Sequence, residues 1–234
     1  AFDWLEQAER HLGECTVFAT EFDFSETAPA AVASVLQLPE GAALDQLLKP
    51  GVWKNLDSYS RKKLGIPADH FRFLHPMTVT MTLTSALISE ESALSLDETL
   101  WEYARAYGIR TTGVETFGEQ LETLKKIPFN EHLKNLSWLL KNYGRQKRRL
   151  KKMLRWYREG NIQQLFRAAK KDAKGLRKVL LHERNILMAK RFAEIAEKES
   201  LFCAVGAGHL AGQKGMLRLL KKAGFRVAPI HATS

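Results

Sequence analysis

The sequence predicts an α/β fold with a mostly parallel sheet and large helical insertions, and three observations carry that prediction. Short β-branched or apolar runs recur at residues 15–24, 109–115 and 201–205, far apart along the chain. Helical patterns with clear starts and stops separate them, as in chains that alternate strand and helix. The run at 201–205 has no polar face, as expected for a strand covered on both sides.

Each element follows from local chemistry. Residues 2–13 carry apolar side chains at helical intervals and stop at Gly13. Residues 15–24, CTVFATEFDF, contain no turn former and read as a strand, with Glu21 near the carboxyl end and Asp23 two residues on, on the same face. Residues from about 26 to 98 read as short helical pieces, punctuated by Pro29, Pro39, Pro50, Gly51, Gly65, Pro67 and Pro76. Within them, residues 75–83 fit either a strand or a helix. Ser95 with Glu98 forms a capping box before Leu100, Tyr103, Ala104 and Tyr107, and Gly108 stops that helix. The strand at 109–115 ends on Glu115, and Thr116 with Glu119 offers a second capping box.

A helical stretch over about 118–197 is broken near Pro128, Gly160 and Gly175. Its last helix carries Arg184 beside Leu180, Leu187 and Met188, and Glu183 lies on the same broad apolar arc. Geometry alone does not rank the two. After the strand at 201–205 come Gly206, Gly208 and His209, then a helix over 215–224 and an expected strand over 225–230. Ligands of such βαβ units gather beyond the carboxyl ends of the strands, where His209 falls. The reading is one domain over residues 1–234.

Composition narrows the function classes. Apolar residues make up 45% of the 234, as in an ordinary globular protein. No run approaches the roughly 18 apolar residues of a membrane span. The chain opens at Ala1-Phe2-Asp3, inside a helical pattern and without the charged and apolar regions of a signal peptide. The expectation is therefore a cut N-terminus, which leaves targeting open. Cys15 and Cys203 lack metal or redox spacing and read as small buried thiols. Net charge is +10, and residues 141–158 hold nine basic residues (Lys141, Arg145, Lys147, Arg148, Arg149, Lys151, Lys152, Arg155 and Arg158) and no acid. Leu139, Leu140, Tyr143, Leu150, Met153, Leu154 and Tyr157 recur through them at helical spacing, so the stretch reads as an amphipathic helix with a solvated basic face. Such a face suits contact with an anionic surface; no nucleic-acid motif accompanies it.

Three strands thus end in Glu21, Glu115 and His209. Parallel pairing would bring all three to one rim, with Arg184 in reach. Two carboxylates and an imidazole suit a divalent metal that activates a water, with Arg184 holding a substrate carboxylate or an oxyanion. A metal-free carboxylate–histidine acid/base pair is also possible chemistry. A lone histidine after a strand is as often structural, and an arginine on an apolar face most often pairs with a buried carboxylate, which Asn185 could share.

The segments VFATEFDF, GVETFGEQL, HERNILMA and AVGAGHLAGQKGMLRLLKKAGFRVAPI together resemble the TraB/GumN family, related to the Tiki proteases, over nearly the whole chain. The resemblance implies a Tiki-like α/β core in a superfamily with erythromycin-esterase-like and haem-binding ChaN-like proteins. It implies a metal-dependent peptidase using manganese or cobalt, zinc being a further candidate. Gly206-Ala207-Gly208-His209 matches the second of the family's two Gly-x-x-His motifs, and Glu21, Glu115 and Arg184-Asn185 match its acidic and Arg-Asn positions. On that basis Glu21, Glu115 and His209 are expected metal ligands, with Arg184 added for catalysis, and Arg184, Asn185, Gly206 and Gly208 are expected to bind a peptide or protein substrate. The first Gly-x-x-His motif should precede the first helix and is absent here; His11 has Ala8 rather than glycine three residues before it. The alternative is a non-catalytic module sequestering a peptide, a glycan fragment or haem. Relatives in cell envelopes make an envelope or periplasmic location the corresponding expectation.

Overall fold

The computed structural model describes residues 5–26, 36–88 and 95–230. In chain order its elements are α1 (Leu5–Gly13), β1 (Val17–Phe22), α2 (Leu44–Leu47), α3 (Pro50–Leu64), α4 (Pro76–Ile88), α5 (Leu96–Ala106) and β2 (Arg110–Glu115). There follow α6 (Phe117–Lys125), α7 (Phe129–Lys141), α8 (Tyr143–Arg158), α9 (Ile162–Ala173), α10 (Arg184–Ala196), β3 (Leu201–Cys203) and α11 (Met216–Lys222). The chain divides into two compact units: Ala1–Glu26 with Leu94–Leu124 and Met153–Ser234, and Thr27–Ala93 with Lys125–Lys152.

The first unit holds an all-parallel sheet in the order β2-β1-β3. Alternation along the strands sends side chains to opposite faces, and both faces are covered. Phe18 and Phe202 pack with Leu12 of α1 and with Leu100, Trp101 and Ala104 of α5. On the other face Ala19, Val114, Leu201 and Cys203 pack against Met188 of α10 and Met216 of α11. This is a three-layer α/β arrangement with the carboxyl ends of three parallel strands at one rim.

Both capping boxes form. Glu98 N–H donates to Ser95 Oγ (3.2 Å) while Glu98 Oε2 accepts from Ser95 N–H (2.8 Å). Thr116 and Glu119 repeat the exchange at 2.8 and 3.1 Å, opening α6. The helical stretch breaks at the three expected places and again at Asn142. A π-helical run, Lys178–Glu183, leads into α10. Residues 225–230 correct the sequence reading: no strand forms there. Beyond Phe225 and Val227 the segment is exposed, with Ile230 71% accessible, and Pro229 has no N–H to give a ladder. The readings that fell on residues 1–4, 27–35 and 89–94 lie outside the described residues.

The second unit is helical around Leu44, Leu56, Val79, Leu83 and Leu136. Of residues 75–83, open between strand and helix, all but His75 belong to α4. Pro76 sits at its first turn, where a missing N–H costs nothing, and Thr80 returns its hydroxyl to the Pro76 carbonyl at 2.8 Å. His75 and His132 face each other here, with ring centroids 4.9 Å apart, and Met77 N–H donates to His75 Nδ1 (3.2 Å). Burial lowers both imidazole pKa values from 6.5, and for His75 the facing His132 adds to it. An unfolded chain therefore takes up these protons first. The stability they contribute is present above about 6.5 and is lost as pH falls below it. Replacing His132 with phenylalanine is expected to flatten the fall in Tm between about pH 7.5 and 5.5; a thermal scan across that range checks it, and an unchanged slope would refute it.

The basic run is not one helix: Lys141 ends α7, the chain breaks at Asn142, and the other eight basic residues lie on α8, which has no fully buried residue and exposes Arg145, Arg148, Lys151, Lys152, Arg155 and Arg158. Among the described residues no helix is long and apolar enough to cross a membrane.

Candidate active site at the carboxyl rim of the sheet

Strand register places the two glutamates. Phe22 pairs with Glu115 and Thr20 with Gly113, so Glu21 and Glu115 emerge at the same ends of adjacent parallel strands. Gly113 permits this approach: a Cβ there would stand 2.4 Å from the Asp23 nitrogen and 2.7 Å from the Phe22 carbonyl carbon. Arg184, the first residue of α10, spans both acids. Its Nε donates to Glu115 Oε1 (3.0 Å) and Oε2 (2.9 Å), and its Nη2 donates to Glu115 Oε2 (2.6 Å) and Glu21 Oε2 (2.7 Å). The Glu115 side chain is 1% exposed, against 16% for Arg184 and 20% for Glu21. Among the described residues nothing accepts a hydrogen bond from Arg184 Nη1.

The glycine turn after β3 supplies the histidine. Gly206 N–H donates to Glu21 Oε1 at 2.7 Å, and His209 N–H closes the turn on the Gly206 carbonyl at 2.8 Å. A Cβ at Gly206 would stand 3.0 Å from Glu21 Oε1, so the absent side chain keeps the carboxylate on the backbone. A Cβ at Gly208 would meet the Ala169 Cβ of α9 at 2.8 Å, so Gly208 serves packing. Asn185, 1% exposed, sets the state of the imidazole. Its Nδ2 donates to the Lys214 carbonyl (2.7 Å), which fixes the amide with Oδ1 towards His209 Nδ1 at 2.6 Å. His209 therefore donates from Nδ1, and in the neutral ring Nε2 carries the lone pair. That nitrogen faces Glu21 Oε1 at 3.8 Å.

The electrostatics follow from burial and pairing. Burial lowers the His209 pKa and Arg184 adds to the effect, outweighing Glu21 and Glu115. At Glu21, burial works upward, but His209, Arg184 and the Gly206 amide hold the carboxyl below its ordinary value. Burial also opposes the Arg184 charge; Glu115 and Glu21 more than restore it. Burial pushes the Cys203 thiol up to about 12, so it is un-ionised at neutral pH.

Glu21, Glu115, Arg184, Asn185, Gly206 and His209 are thus gathered in one network. Asn185 does not share the carboxylates of Arg184; it holds the histidine. Glu183 turns away, with Oε1 3.8 Å from Lys178 Nζ and its side chain 46% exposed. Asp23 accepts from Ser25 N–H at 2.8 Å, and His11 pairs with Glu14 at 3.6 Å. Glu119 binds Arg191 through two contacts (2.6 and 2.8 Å), and that hydrogen bonding lowers its pKa to about 2; this pairing was not legible in the sequence.

A divalent metal fits part of this arrangement. Glu21 Oε1 and His209 Nε2 face each other as an oxygen and a neutral imidazole donor, with Asn185 fixing the tautomer as metal-binding histidines require. Glu115 does not fit as placed, because Arg184 engages both its oxygens. Among the described residues no three His, Cys, Asp or Glu side chains form a group able to hold a metal ion.

No curated protein and no solved structure matches the chain. The TraB/PrgY/gumN family matches over residues 1–229, which span all three strands and every residue of the network. The chain belongs to the TraB/PrgY/gumN family.

Proposed function

We propose that the protein is a metal-dependent hydrolase acting on peptides at the carboxyl rim of the sheet. The observation that supports this reading above all is the pairing of His209 Nε2 with Glu21 Oε1 across 3.8 Å, the ring held by Asn185. In the neutral ring this lone pair faces a carboxylate oxygen without a proton between them, and a shared cation relieves that; the protonated ring instead pairs with Glu21 and lowers its pKa. Glu21 and His209 would hold such an ion. The chemistry it supplies when bound is a water acidified enough to attack a carbonyl near neutral pH. Arg184 Nη1 is available to the oxyanion that develops. Glu115 and the other Arg184 nitrogens fix the guanidinium in place.

The test is cleavage of a diverse peptide mixture by the full-length protein with manganese, cobalt or zinc in turn, with and without a chelator. His209→Ala is expected to lower turnover by roughly 10²-fold or more while the Tm stays near that of the parent. Loss of the fold in the variant would instead mark His209 as structural.

One observation favours a second reading, a module that sequesters its ligand. His209 is 6% exposed beneath α9, whose Phe166 ring would meet a Cβ at Gly212 at 2.4 Å. Binding of a peptide, glycan fragment or haem without turnover, indifferent to a chelator, would establish that reading.

A further inference from the structure

We propose that the second unit carries a docking surface for an anionic phospholipid membrane, formed by the first turns of α8 and the helix ends beside them. Residues 132–158 contain no acid, and their cations are not scattered. Lys141, at the end of α7, and Arg145, Arg148, Lys151 and Lys152 of α8 are all exposed. The four on α8 follow one another at intervals of three and four residues, so they form one stripe along one face. The C-terminal turn of α3 adds to the charge. The Tyr59 ring of α3 packs against the Tyr143 ring of α8, and the exposed Lys62 and Lys63 lie one turn beyond Tyr59. The junction of α7 with α8 is held by Asn142, whose Nδ2 donates to the Trp138 carbonyl at 2.9 Å.

This stripe works against the helix that carries it. Like charges three or four residues apart repel. Among the described residues, Arg145, Arg148 and Lys151 have no carboxylate and no side-chain hydrogen bond to offset that repulsion. An external anionic surface supplies the missing charge. A phospholipid surface fits better than a nucleic acid, because apolar side chains accompany the cations. Trp138, in the last turn of α7, is 41% exposed, and Tyr143 and Leu150 on the other flank of α8 are only half-buried. A helix with cations on one face and apolar or aromatic side chains on the other suits the headgroup layer of a membrane. An indole favours that boundary, its ring being apolar and its N–H polar. The contact is peripheral, since among the described residues no helix is long and apolar enough to cross a membrane.

The experiment sediments the full-length protein with vesicles of phosphatidylcholine alone or with phosphatidylglycerol as about one-third of the lipid. Binding is expected only to the anionic vesicles, and to weaken by roughly tenfold or more between about 0.05 and about 0.5 M salt. Arg145→Gln with Arg148→Gln is expected to weaken it by roughly 30-fold, about fivefold for each cation lost. The Tm of that variant should equal or exceed the parent's, because a repulsion is removed. Lysine at both positions is expected to bind like the parent, since a membrane surface reads charge rather than the guanidinium fork. Trp138→Ala is expected to weaken vesicle binding severalfold and leave its salt dependence unchanged. Equal binding to neutral vesicles, no binding to either kind, or full binding by the glutamine variant would each overturn the assignment. A lower Tm with glutamine would overturn it in favour of a role in the fold. Tighter binding to a DNA duplex of about 20 base pairs than to the anionic vesicles would overturn it in favour of nucleic acid.

Discussion

Replacing Arg184 with methionine is expected to cost about 3–5 kcal/mol of stability, a larger loss than any surface substitution in this chain would give. The reason is asymmetric. A buried ion pair contributes little net stability while intact, because desolvation offsets attraction, but removing one partner strands the other in a medium that solvates it poorly. Here two acids are stranded at once, and the Glu115 side chain is 1% exposed. Urea unfolding of the variant checks the magnitude. A cycle with Glu115→Gln sharpens the test: once Glu115 is neutral, loss of Arg184 should cost much less. Additive effects would show that the guanidinium acts independently of that carboxylate. Arg184→Lys is expected to fall between, since one ammonium cannot reproduce a fork that reaches both glutamates. The Glu21 contribution also has a direction in pH. Its folded pKa lies below the ordinary carboxylate value, so the stability it lends is present above that value and is lost as pH falls through the folded one.

The second large effect is expected at Gly113. Gly113→Ala places a Cβ 2.4 Å from the Asp23 nitrogen, 2.5 Å from the Glu115 carbonyl oxygen and 2.7 Å from the Phe22 carbonyl carbon. All three are backbone atoms, so no side chain can swing aside. β1 and β2 must part at their carboxyl ends, and the expected cost is about 3 kcal/mol or more. The same movement spreads Glu21 from Glu115 and breaks the bridge through Arg184, so activity should fall further than stability alone requires. Unfolding measurements with a peptide-cleavage assay separate the two. Stability near that of the parent would show that the strands do not approach as closely as described.

These expectations also show how far the sequence could be read. The three strands were legible because each is a short unbroken run whose neighbours stop cleanly, and both capping boxes announced themselves by spacing. The convergence of Glu21, Glu115 and His209 followed from parallel pairing, and Arg184 was expected within reach of them. The expected strand at 225–230 failed because a β-branched, apolar composition describes a segment that could pair and does not supply an edge to pair with. Asn185 was noticed beside Arg184, yet its grip on His209 depends on the Lys214 carbonyl fixing the amide, a contact set by the loop after the glycine turn. In the second unit, frequent prolines marked where helices end but not which faces meet, so the facing of His75 and His132 had no sequence signature.

The strand order has a consequence for how the chain is made. β1 is the central strand, yet its two neighbours begin at Arg110 and Leu201, so one edge stays vacant until residue 201 has emerged from the ribosome, long after β1 and β2. Arg184 and Glu21 are 163 positions apart, and the ion pair between them can form only after that late segment arrives. Closing so long a loop is entropically slow, and an apolar strand waiting with an open edge is an invitation to the wrong partner. Ribosome-bound chains that end before residue 201 should therefore hold chaperones longer than chains whose residues 201–224 are carried clear of the exit tunnel by a C-terminal linker.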